Sequence, residues 1–287
     1  KVIMTAKIIN GKAIAQQIRN DLKRKLAYRT KQGFSTPGLA VILVGEDAAS
    51  QIYVRNKRDA CCDIGMNSMA YDFPLHSSEH ALLTLVQKLN ADPTVHGILI
   101  QLPLPKTINT ATILAHINPK KDVDGFHPIN LGLLAQGRPY LRPCTPYGVM
   151  RLLEYEKIPL KGLNAVIVGA SNIVGKPMAL ELLNAGCTIT VCHSATRNLK
   201  QAIQQADLLV SAIGKADIIQ SPWIKPGAIV IDIGITRSPS GKLHGDIAFE
   251  SAQLVASYIT PVPGGVGPMT VAMLLENTLF AAENYDH

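Results

Sequence analysis

The stretch Ala165-Val-Ile-Val-Gly169-Ala-Ser-Asn-Ile-Val-Gly175-Lys-Pro177 places a strand, a glycine turn and a helix in direct succession. A short apolar run that ends at a glycine is typical of a strand buried on both faces. Glycines allow a tight turn behind that strand, and the N-terminus of the next helix suits the phosphates of a dinucleotide. The spacing is G-x-S-x-x-x-G rather than G-x-G-x-x-G, so a plain strand–helix turn is the alternative.

Strands and helices alternate on both sides of this turn. After the helix over 175–186, apolar runs predict strands over 188–192, 206–213, 228–233 and 257–260. Before the turn, the pattern predicts helices over 12–32, 48–64 and around 82–89, and strands over 39–44, 66–73 and 97–102. Between 109 and 145 periodicity is weak and prolines recur, so loops and short helices are expected. Alternation of this kind predicts parallel α/β sheets.

The proline-rich interval divides the chain into two α/β domains joined near 143–147. We predict a substrate domain of residues 1–143 together with the last helix, 268–287, and a Rossmann-like nucleotide domain of residues 144–267. An active-site cleft is expected between the two domains.

Composition excludes several classes of protein. The 287 residues are 47% hydrophobic and 17% charged, with a net charge of +7, as expected of a globular protein. No apolar run approaches the roughly 20 residues that span a bilayer. Lysines and arginines are scattered and aromatics are few, so we expect neither nucleic acid nor membrane as a partner. The five cysteines form no Cys-x-x-Cys pair, so we expect no metal and a reducing, cytoplasmic location.

The residues after the strand 188–192 bear on the choice of cofactor. A carboxylate at this point commonly binds the ribose of NAD, whereas a polar or basic site admits the extra phosphate of NADP. Here the chain reads Cys192-His193-Ser194-Ala195-Thr196-Arg197, without an acid. This segment therefore favours NADP.

One face of the helix 48–64 carries three groups of chemical interest. At about 100° per residue, Ser50, Tyr53 and Lys57 fall on one side of the helix. A solvated face is the alternative, because exposed lysines are common. Tyr-x-x-x-Lys also resembles the acid/base pair of short-chain dehydrogenases. In those enzymes the nucleotide glycines come first, whereas here Tyr53 precedes Gly169, and this order argues against that class.

Polar groups also stand where apolar runs end. Gln101 lies at the C-terminal end of the strand 97–102, where α/β sheets place ligands. It can hydrogen-bond a substrate or hold an amine, or it can be a satisfied core amide. Asp122 and Asp124 follow two lysines in the irregular interval. They form either a solvated turn or a site that reads the N–H edge of a heterocycle.

The loop Thr260-Pro-Val-Pro-Gly-Gly-Val-Gly-Pro-Met-Thr270 contains three glycines and three prolines but no charge. It cannot form a regular helix or a central strand, and a helix begins at Pro268. A tight connector is one reading. The other is a bare backbone wall beside a ligand, because phosphates already have their own turn at Gly169–Gly175.

Five of these stretches together resemble the bifunctional methylenetetrahydrofolate dehydrogenase/cyclohydrolase family, FolD. They are Ala49-Ser50-x-x-Tyr53-Val-x-x-Lys57, Gly97-Ile-Leu-Ile-Gln101-Leu-Pro-Leu-Pro105, Lys121-Asp122-Val-Asp124-Gly125, Gly169-Ala-Ser-Asn-Ile-Val-Gly-Lys-Pro177 and Pro261-Val-Pro-Gly-Gly-Val-Gly-Pro-Met-Thr270. The resemblance runs in order over essentially the whole chain.

The resemblance implies oxidation of 5,10-methylenetetrahydrofolate with NADP⁺, followed by hydrolysis to 10-formyltetrahydrofolate. It also implies a homodimer formed through the nucleotide domain and a place in one-carbon metabolism and purine biosynthesis. The implied catalytic residues are Lys57, Gln101, Tyr53 and Asp122. The implied substrate contacts are Ser50, Tyr53, Leu102, Asp122, Pro263, Gly264, Gly265, Val266 and Gly267. The implied cofactor contacts are Gly169, Ala170, Ser171, Ile173, Gly175, His193, Ser194 and Ile235.

One position departs from the family pattern. Many members carry arginine directly after the first glycine of the nucleotide turn, where this chain has Ala170. The 2′-phosphate of NADP would then depend on His193, Ser194 and Arg197.

Two other functions are alternatives to the FolD reading. One is an oxidoreductase similar to shikimate dehydrogenase, which does not explain the loop at 263–267. The other is a nucleotide sensor without catalysis.

Overall fold

The computed structural model describes residues 5–285, which form two compact units. The six-stranded unit contains the described residues up to Ala15 together with Thr145–Thr270. The three-stranded unit contains Gln16–Cys144 and the described residues from Val271 onward. Within residues 5–285 no helix is long and apolar enough to cross a membrane.

Helices and strands alternate along most of the chain. The helices are α1 (Gly11–Lys31), α2 (Ala48–Asp63), α3 (Glu79–Ala91), α4 (Thr110–His116), α5 (Pro128–Ala135), α6 (Cys144–Tyr155), α7 (Gly175–Asn184), α8 (Leu199–Gln204), α9 (Phe249–Ala252) and α10 (Val266–Glu283), with a 3-10 turn at Ser221–Trp223. The strands are β1 (Lys7–Ile8), β2 (Gly38–Val44), β3 (Asn67–Phe73), β4 (Gly97–Ile100), β5 (Asn164–Val168), β6 (Thr188–Cys192), β7 (Leu208–Ser211), β8 (Ile229–Asp232), β9 (Thr236–Arg237), β10 (Leu243–His244) and β11 (Tyr258–Ile259).

The main sheet of the six-stranded unit has the order β1-β11-β8-β7-β5-β6, and every neighbouring pair is parallel. Its core is aliphatic, with Val166, Leu209 and Val230 essentially inaccessible to solvent. From β5 the chain adds β6 on one side and then crosses to β7 on the other. Such a reversal of winding opens a crevice at the carboxyl ends of the two central strands, here β5 and β7.

The three-stranded unit is a parallel sheet of order β3-β2-β4. The central strand β2 is buried along its whole length, as its continuous apolar sequence requires. α3 covers the sheet with Leu82, Val86 and Leu89, which are spaced as one helical face. Ile98 of β4 also forms a parallel bridge with Asp122, so the chain around Asp122 continues the sheet beyond β4.

The predicted two-domain α/β architecture with parallel sheets is confirmed. The predicted strands end within two residues of the observed ones. Strong apolar runs bounded by glycine or proline explain this agreement, because each marks both a buried segment and its end.

Three local features differ from the predictions. Residues 5–15 pack in the six-stranded unit rather than in the substrate domain, because β1 pairs with β11. A helix, α6, begins at the predicted joint, since Pro146 stands in its first turn, where the missing N–H breaks no hydrogen bond. The last helix begins at Val266 rather than at Pro268.

Candidate active site

Two of the predicted catalytic side chains are in direct contact. Lys57 lies on α2, and Gln101 follows β4 at the carboxyl edge of the three-stranded sheet. Nζ of Lys57 donates a hydrogen bond of 3.1 Å to Oε1 of Gln101. Nε2 of Gln101 donates to the carbonyl oxygen of Leu102 at 2.8 Å, which fixes the orientation of the amide. Lys57, Gln101 and Leu102 are half-buried, so the amine is held in place yet accessible to a ligand.

The rest of the predicted helical face begins at the cap of α2. Oδ2 of Asp47 accepts a hydrogen bond of 2.8 Å from the backbone N of Ser50, which fixes where the helix starts. Tyr53 is 40% exposed and Ser50 only 5% exposed. The ring of Tyr53 is therefore available to stack on a flat ligand beside Lys57, whereas the Ser50 hydroxyl is largely covered.

Asp122 lies in different surroundings from those predicted. It is 1% exposed, and its Oδ1 accepts a hydrogen bond from the backbone N of Phe126 at 3.2 Å. Its Oδ2 accepts from the backbone N of His127 and from Nδ2 of Asn130, both at 2.8 Å. Burial raises the pKa of Asp122 to about 7. The carboxyl group thus holds the turn before α5, and this geometry does not favour its predicted role as a substrate contact.

The acid near Lys57 is Asp124, which is half-buried. The sequence singles it out together with Asp122, but the family resemblance implies only Asp122 as a site residue. Burial raises the pKa of the Asp124 carboxyl group, while the charge of Lys57 opposes the rise. A usable signal was its place in the chain, two residues beyond the bridge to β4. A carboxylate, an amine and an amide therefore meet at this sheet edge.

The backbone before Asp124 is held by α10. Nδ2 of Asn277 donates to the carbonyl oxygens of Val123 at 2.9 Å and of Arg142 at 2.8 Å. Sγ of Cys144 donates to the same Val123 oxygen at 3.1 Å. Because Asn277 is buried, these bonds fix the carboxylate-bearing segment independently of any ligand.

The turn after β5 is compact and carries no charge between Gly169 and Gly175. Gly169 has φ of 120°, a conformation that L side chains rarely adopt. A Cβ at Gly175 would collide with the carbonyl oxygen of Gly169. Oγ of Ser171 accepts hydrogen bonds from the backbone N of Val174 at 3.2 Å and of Gly175 at 3.4 Å. Such a bare turn fits the close approach of a dinucleotide pyrophosphate. The predicted contacts Ala170 and Ile173 are half-buried within it.

The segment after β6 is exposed and polar. His193 and Ser194 are accessible, and the backbone N of His193 donates to Oγ1 of Thr196 at 2.9 Å. Nδ1 of His193 accepts a hydrogen bond from the backbone N of Ala195 at 3.2 Å. This tight turn fits an anionic group, because no residue from His193 to Arg197 is acidic.

The glycine–proline loop lies against two other parts of the six-stranded unit. The backbone N of Lys12 donates to the carbonyl oxygen of Gly264 at 2.9 Å. A Cβ added to Gly267 would lie 3.8 Å from Cδ1 of the exposed Ile235. Pro263 is exposed, Gly265 is buried and Val266 is only 3% exposed. The side chain of Val266 therefore packs inward, and its predicted substrate contact would have to come from the backbone.

Sequence reasoning missed two buried carboxyl groups of the six-stranded unit, Asp232 at the end of β8 and Asp246 shortly after β10. Burial raises the pKa of Asp232 to about 7. The sequence does contain a signal for Asp232, because this acidic residue ends the otherwise apolar strand Ile229–Asp232.

Two family models match the chain. The catalytic domain of tetrahydrofolate dehydrogenase/cyclohydrolase matches residues 9–124. The NAD(P)-binding domain of tetrahydrofolate dehydrogenase/cyclohydrolase matches residues 143–286.

Solved structures similar to this chain cover nearly its full length. The bifunctional FolD methylenetetrahydrofolate dehydrogenase/cyclohydrolase of Campylobacter jejuni is 50% identical, with a TM-score of 0.95 over 97% of this chain and 99% of its own. The Trypanosoma brucei FolD, solved with NADP cofactor and an inhibitor, is 38% identical, with a TM-score of 0.94 over 98% of each chain. The bifunctional enzyme of Thermoplasma acidophilum is 34% identical, with a TM-score of 0.90 over 98% of this chain and 99% of its own.

The alternative of a shikimate-dehydrogenase-like enzyme rests on fold alone. Shikimate dehydrogenase of Aquifex aeolicus is 11% identical to this chain, with a TM-score of 0.50 over 88% of this chain and 98% of its own.

The buried Asp122 predicts a specific dependence of stability on pH. Its pKa is about 7 in the folded chain, against an ordinary value of 3.8. Between these values the folded chain holds a proton that the unfolded chain has released, so stability falls as the pH rises through that window. Asp122→Asn removes this titration. We expect the free energy of unfolding of the wild type, relative to the variant, to fall by about 3 kcal/mol from pH 4 to pH 7 in urea titrations.

Asp47→Asn is the matched control for that prediction. Hydrogen bonding to Ser50 lowers the pKa of the exposed Asp47, so its stabilising effect is present above the ordinary pKa and lost as the pH falls. In the pH range below about 4, the free energy of unfolding of the wild type relative to this variant should therefore increase as the pH rises. If the difference in free energy of unfolding between the wild type and Asp122→Asn stays constant from pH 4 to pH 7, the prediction is wrong.

Proposed function

The chain belongs to the tetrahydrofolate dehydrogenase/cyclohydrolase family, and on that basis we propose that it catalyses two consecutive steps. In the first, the methylene carbon of 5,10-methylenetetrahydrofolate loses a hydride to NADP⁺, which leaves the methenyl cation and NADPH. In the second, water adds to the methenyl carbon, the bond from that carbon to N5 breaks, and 10-formyltetrahydrofolate and a proton are released. The observation that carries the proposal is the contact of Lys57 with Gln101 beside Asp124.

Lys57 is the proton-transfer group of the hydrolytic step in this proposal. Addition of water to a cation releases a proton, and a positioned side-chain amine can take part in that transfer. Oε1 of Gln101 holds Nζ of Lys57 at 3.1 Å, and the Leu102 carbonyl prevents the amide from turning its donor toward the amine. The accessible ring of Tyr53 on the same helix stacks on the folate ring system.

Asp124, rather than Asp122, recognises the amino and ring N–H groups of the pterin. In the described part of the chain, the carboxyl group of Asp122 accepts its hydrogen bonds from its own turn and from Asn130. Asp124 has the charge of Lys57 as a neighbour and is only half-buried. Carboxylates bind paired N–H donors strongly because the hydrogen bonds are charge-assisted.

NADP is the cofactor that fits the six-stranded unit. The chemistry it supplies when bound is hydride acceptance. The turn from Gly169 to Gly175 would hold the pyrophosphate. The 2′-phosphate would be held by His193, Ser194 and Arg197, because this chain has Ala170 where many family members have an arginine. Ile235 and the loop 263–267, which approach each other, would line the nicotinamide side.

We also propose that two copies of the chain pair through β6. This strand lies at the edge of its sheet and carries no charge. Val191 is 36% exposed, and Leu183 on the adjacent α7 is 50% exposed. An uncharged edge strand beside exposed apolar side chains is suited to pairing with another strand. A homodimer would cover it.

Three other expectations stay predictions. The five cysteines are free, which suits the proposed cytoplasmic location. A role in one-carbon metabolism and purine biosynthesis follows only from the proposed products. The cleft between the two domains likewise stays a prediction.

Lys57→Met should abolish cyclohydrolase activity. Loss of a positioned general base costs roughly 10²- to 10⁴-fold in rate, and methionine keeps the length of the side chain. The measurement is the absorbance decay of added methenyltetrahydrofolate. Lys120→Met, which changes an exposed lysine of the same unit, should hydrolyse at the wild-type rate. Hydrolysis by Lys57→Met well above the uncatalysed rate would remove Lys57 from this role.

The two neighbouring aspartates should separate kinetically. Asp124→Asn loses a charge-assisted contact worth about 1.5–3 kcal/mol, so kcat/KM for methylenetetrahydrofolate should fall roughly 10- to 100-fold. Asp122→Asn should alter stability but leave kcat/KM within about threefold in steady-state assays of NADPH formation. The opposite ranking of the two variants would restore Asp122 as the substrate contact.

Val191→Lys should yield a monomer. A charge on the edge strand opposes strand pairing between copies, and sedimentation velocity reports the change in mass. Leu254→Lys, at another exposed apolar site of the same unit, should leave the assembly unchanged. A dimer of undiminished affinity in Val191→Lys would exclude β6 as the contact.

A further inference from the structure

Two carboxyl groups that the proposed chemistry does not use are buried near the carboxyl edge of the six-stranded sheet. Asp246 is fully buried and Asp232 is 4% exposed. Buried acids are costly unless hydrogen bonds satisfy them, so the question is which parts of the chain supply those bonds.

Asp246 is surrounded by donors from the loop after β7. Its Oδ2 accepts hydrogen bonds from Oγ of Ser211 at 2.8 Å and from the backbone N of Ile213 at 2.7 Å. Its Oδ1 accepts from the backbone N of Gly214 and of Lys215, both at 2.9 Å. Three successive backbone N–H groups thus converge on one side chain, so the carboxylate determines the path of this loop.

Asp232 connects that arrangement to other loops. Its Oδ1 accepts from the backbone N of Gly234 at 3.0 Å and of Asp246 at 3.1 Å. Its Oδ2 accepts from the backbone N of Ile247 at 2.9 Å. The backbone N of Asp232 donates to Oγ1 of Thr260 at 2.8 Å. The turn before Ile235 and the start of the glycine–proline loop are therefore tied to the same pair of acids.

The loop that Asp246 holds forms one side of the crevice between β5 and β7. A Cβ at Gly169 would lie only 2.3 Å from the carbonyl oxygen of Ala212, so the loop and the glycine turn touch. A shift of the loop would change the width of the crevice. The carboxyl group of Asp246 is buried and accepts four hydrogen bonds from within the protein, so it does not need to touch a ligand to act there.

We propose that Asp246, supported by Asp232, is a positioning residue for the nicotinamide nucleotide: it holds the loop Ala212–Lys215 against the glycine turn at the width that the dinucleotide requires. The inference rests on the proposed function, because it assigns the crevice to NADP. It concerns cofactor affinity and not the proton chemistry at Lys57.

An amide cannot replace this carboxylate. Both oxygens of Asp246 accept from backbone N–H groups, which cannot reverse their role. In Asp246→Asn the amide NH₂ must face either the backbone N–H of Ile213 or those of Gly214 and Lys215. In both cases two hydrogen-bond donors face each other without an acceptor. The volume of the side chain is unchanged, so the substitution tests the loop geometry with little effect on packing.

The test measures NADPH binding by fluorescence titration and cyclohydrolase activity on added methenyltetrahydrofolate without nucleotide. We expect Asp246→Asn to raise the Kd for NADPH and the KM for NADP⁺ at least tenfold, with cyclohydrolase activity within twofold of the wild type. The control is Asp207→Asn. Asp207 accepts hydrogen bonds from the backbone N of Asn164 at 2.9 Å and from Lys225 at 2.5 Å at the amino edge of the same sheet. The control should lower the melting temperature without changing the Kd.

Each outcome decides the inference. A folded Asp246→Asn that binds NADPH within twofold of the wild type overturns it, as does an equal loss of affinity in Asp207→Asn. If Asp246→Asn does not fold, Ser211→Ala replaces it, because it removes only the 2.8 Å bond to Oδ2. A Kd raised severalfold then supports the inference, and an unchanged Kd overturns it. A wild type that binds NADPH but converts no folate refutes the proposed function alone, while one that binds no NADPH overturns both.

Discussion

Parallel strand pairing brings the ends of all strands in a sheet to one edge, so loops that are distant in the chain meet there. In the three-stranded unit this edge receives Gln101 after β4 and Asp124 after the segment that bridges to β4. Lys57 reaches it from α2, the helix that follows β2. In the six-stranded unit the same constraint gathers the turn after β5 and the loops after β7 and β8. Residues scattered along the chain thus become neighbours because of backbone hydrogen bonding between apolar strands.

The same constraint explains what could be read from the sequence. Lys57 and Gln101 stand at fixed positions relative to strongly patterned elements, so helical periodicity and a strand end located each of them. Their membership of one catalytic site was implied only by the family resemblance. Asp122 and Asp124 lie where periodicity is absent. Asp122 pairs with Ile98, and the backbone N of Gly125 then donates to the Asp122 carbonyl at 3.0 Å, so the chain turns between the two acids. Apolar patterning does not encode such a turn, and it could not tell which acid lies near Lys57. The strand β1 was not predicted for a related reason. It has only two residues, and it is a strand only because it pairs with β11, about 250 residues further along the chain.

Asp122, Asp232 and Asp246 show how this fold treats the ends of its strands. Where a strand stops, backbone N–H groups lose their ladder partners and must find others. One carboxyl group can accept several hydrogen bonds, so it satisfies donors from more than one loop and fixes those loops relative to one another. Burial opposes ionisation, and the pKa of both Asp122 and Asp232 rises to about 7. The donors therefore offset only part of the desolvation cost. That cost is tolerable because the ordered loops form the walls of the proposed binding sites.

The loop Thr260–Thr270 belongs to this network. The hydroxyl of Thr260 accepts the backbone N–H of Asp232 at 2.8 Å, so a polar group at the start of the loop points into the protein. Gly265 is packed against the carbonyl oxygen of Pro261 and the Cβ of Thr260, leaving no room for a side chain. What remains outward is the Pro263 ring and bare backbone, next to Ile235. Hydride transfer benefits from an environment that excludes water, and a charged side chain would draw water in. The glycines and prolines of this loop thus meet two demands. The inner face packs on a buried acid network, and the outer face is an uncharged surface beside the proposed nicotinamide site.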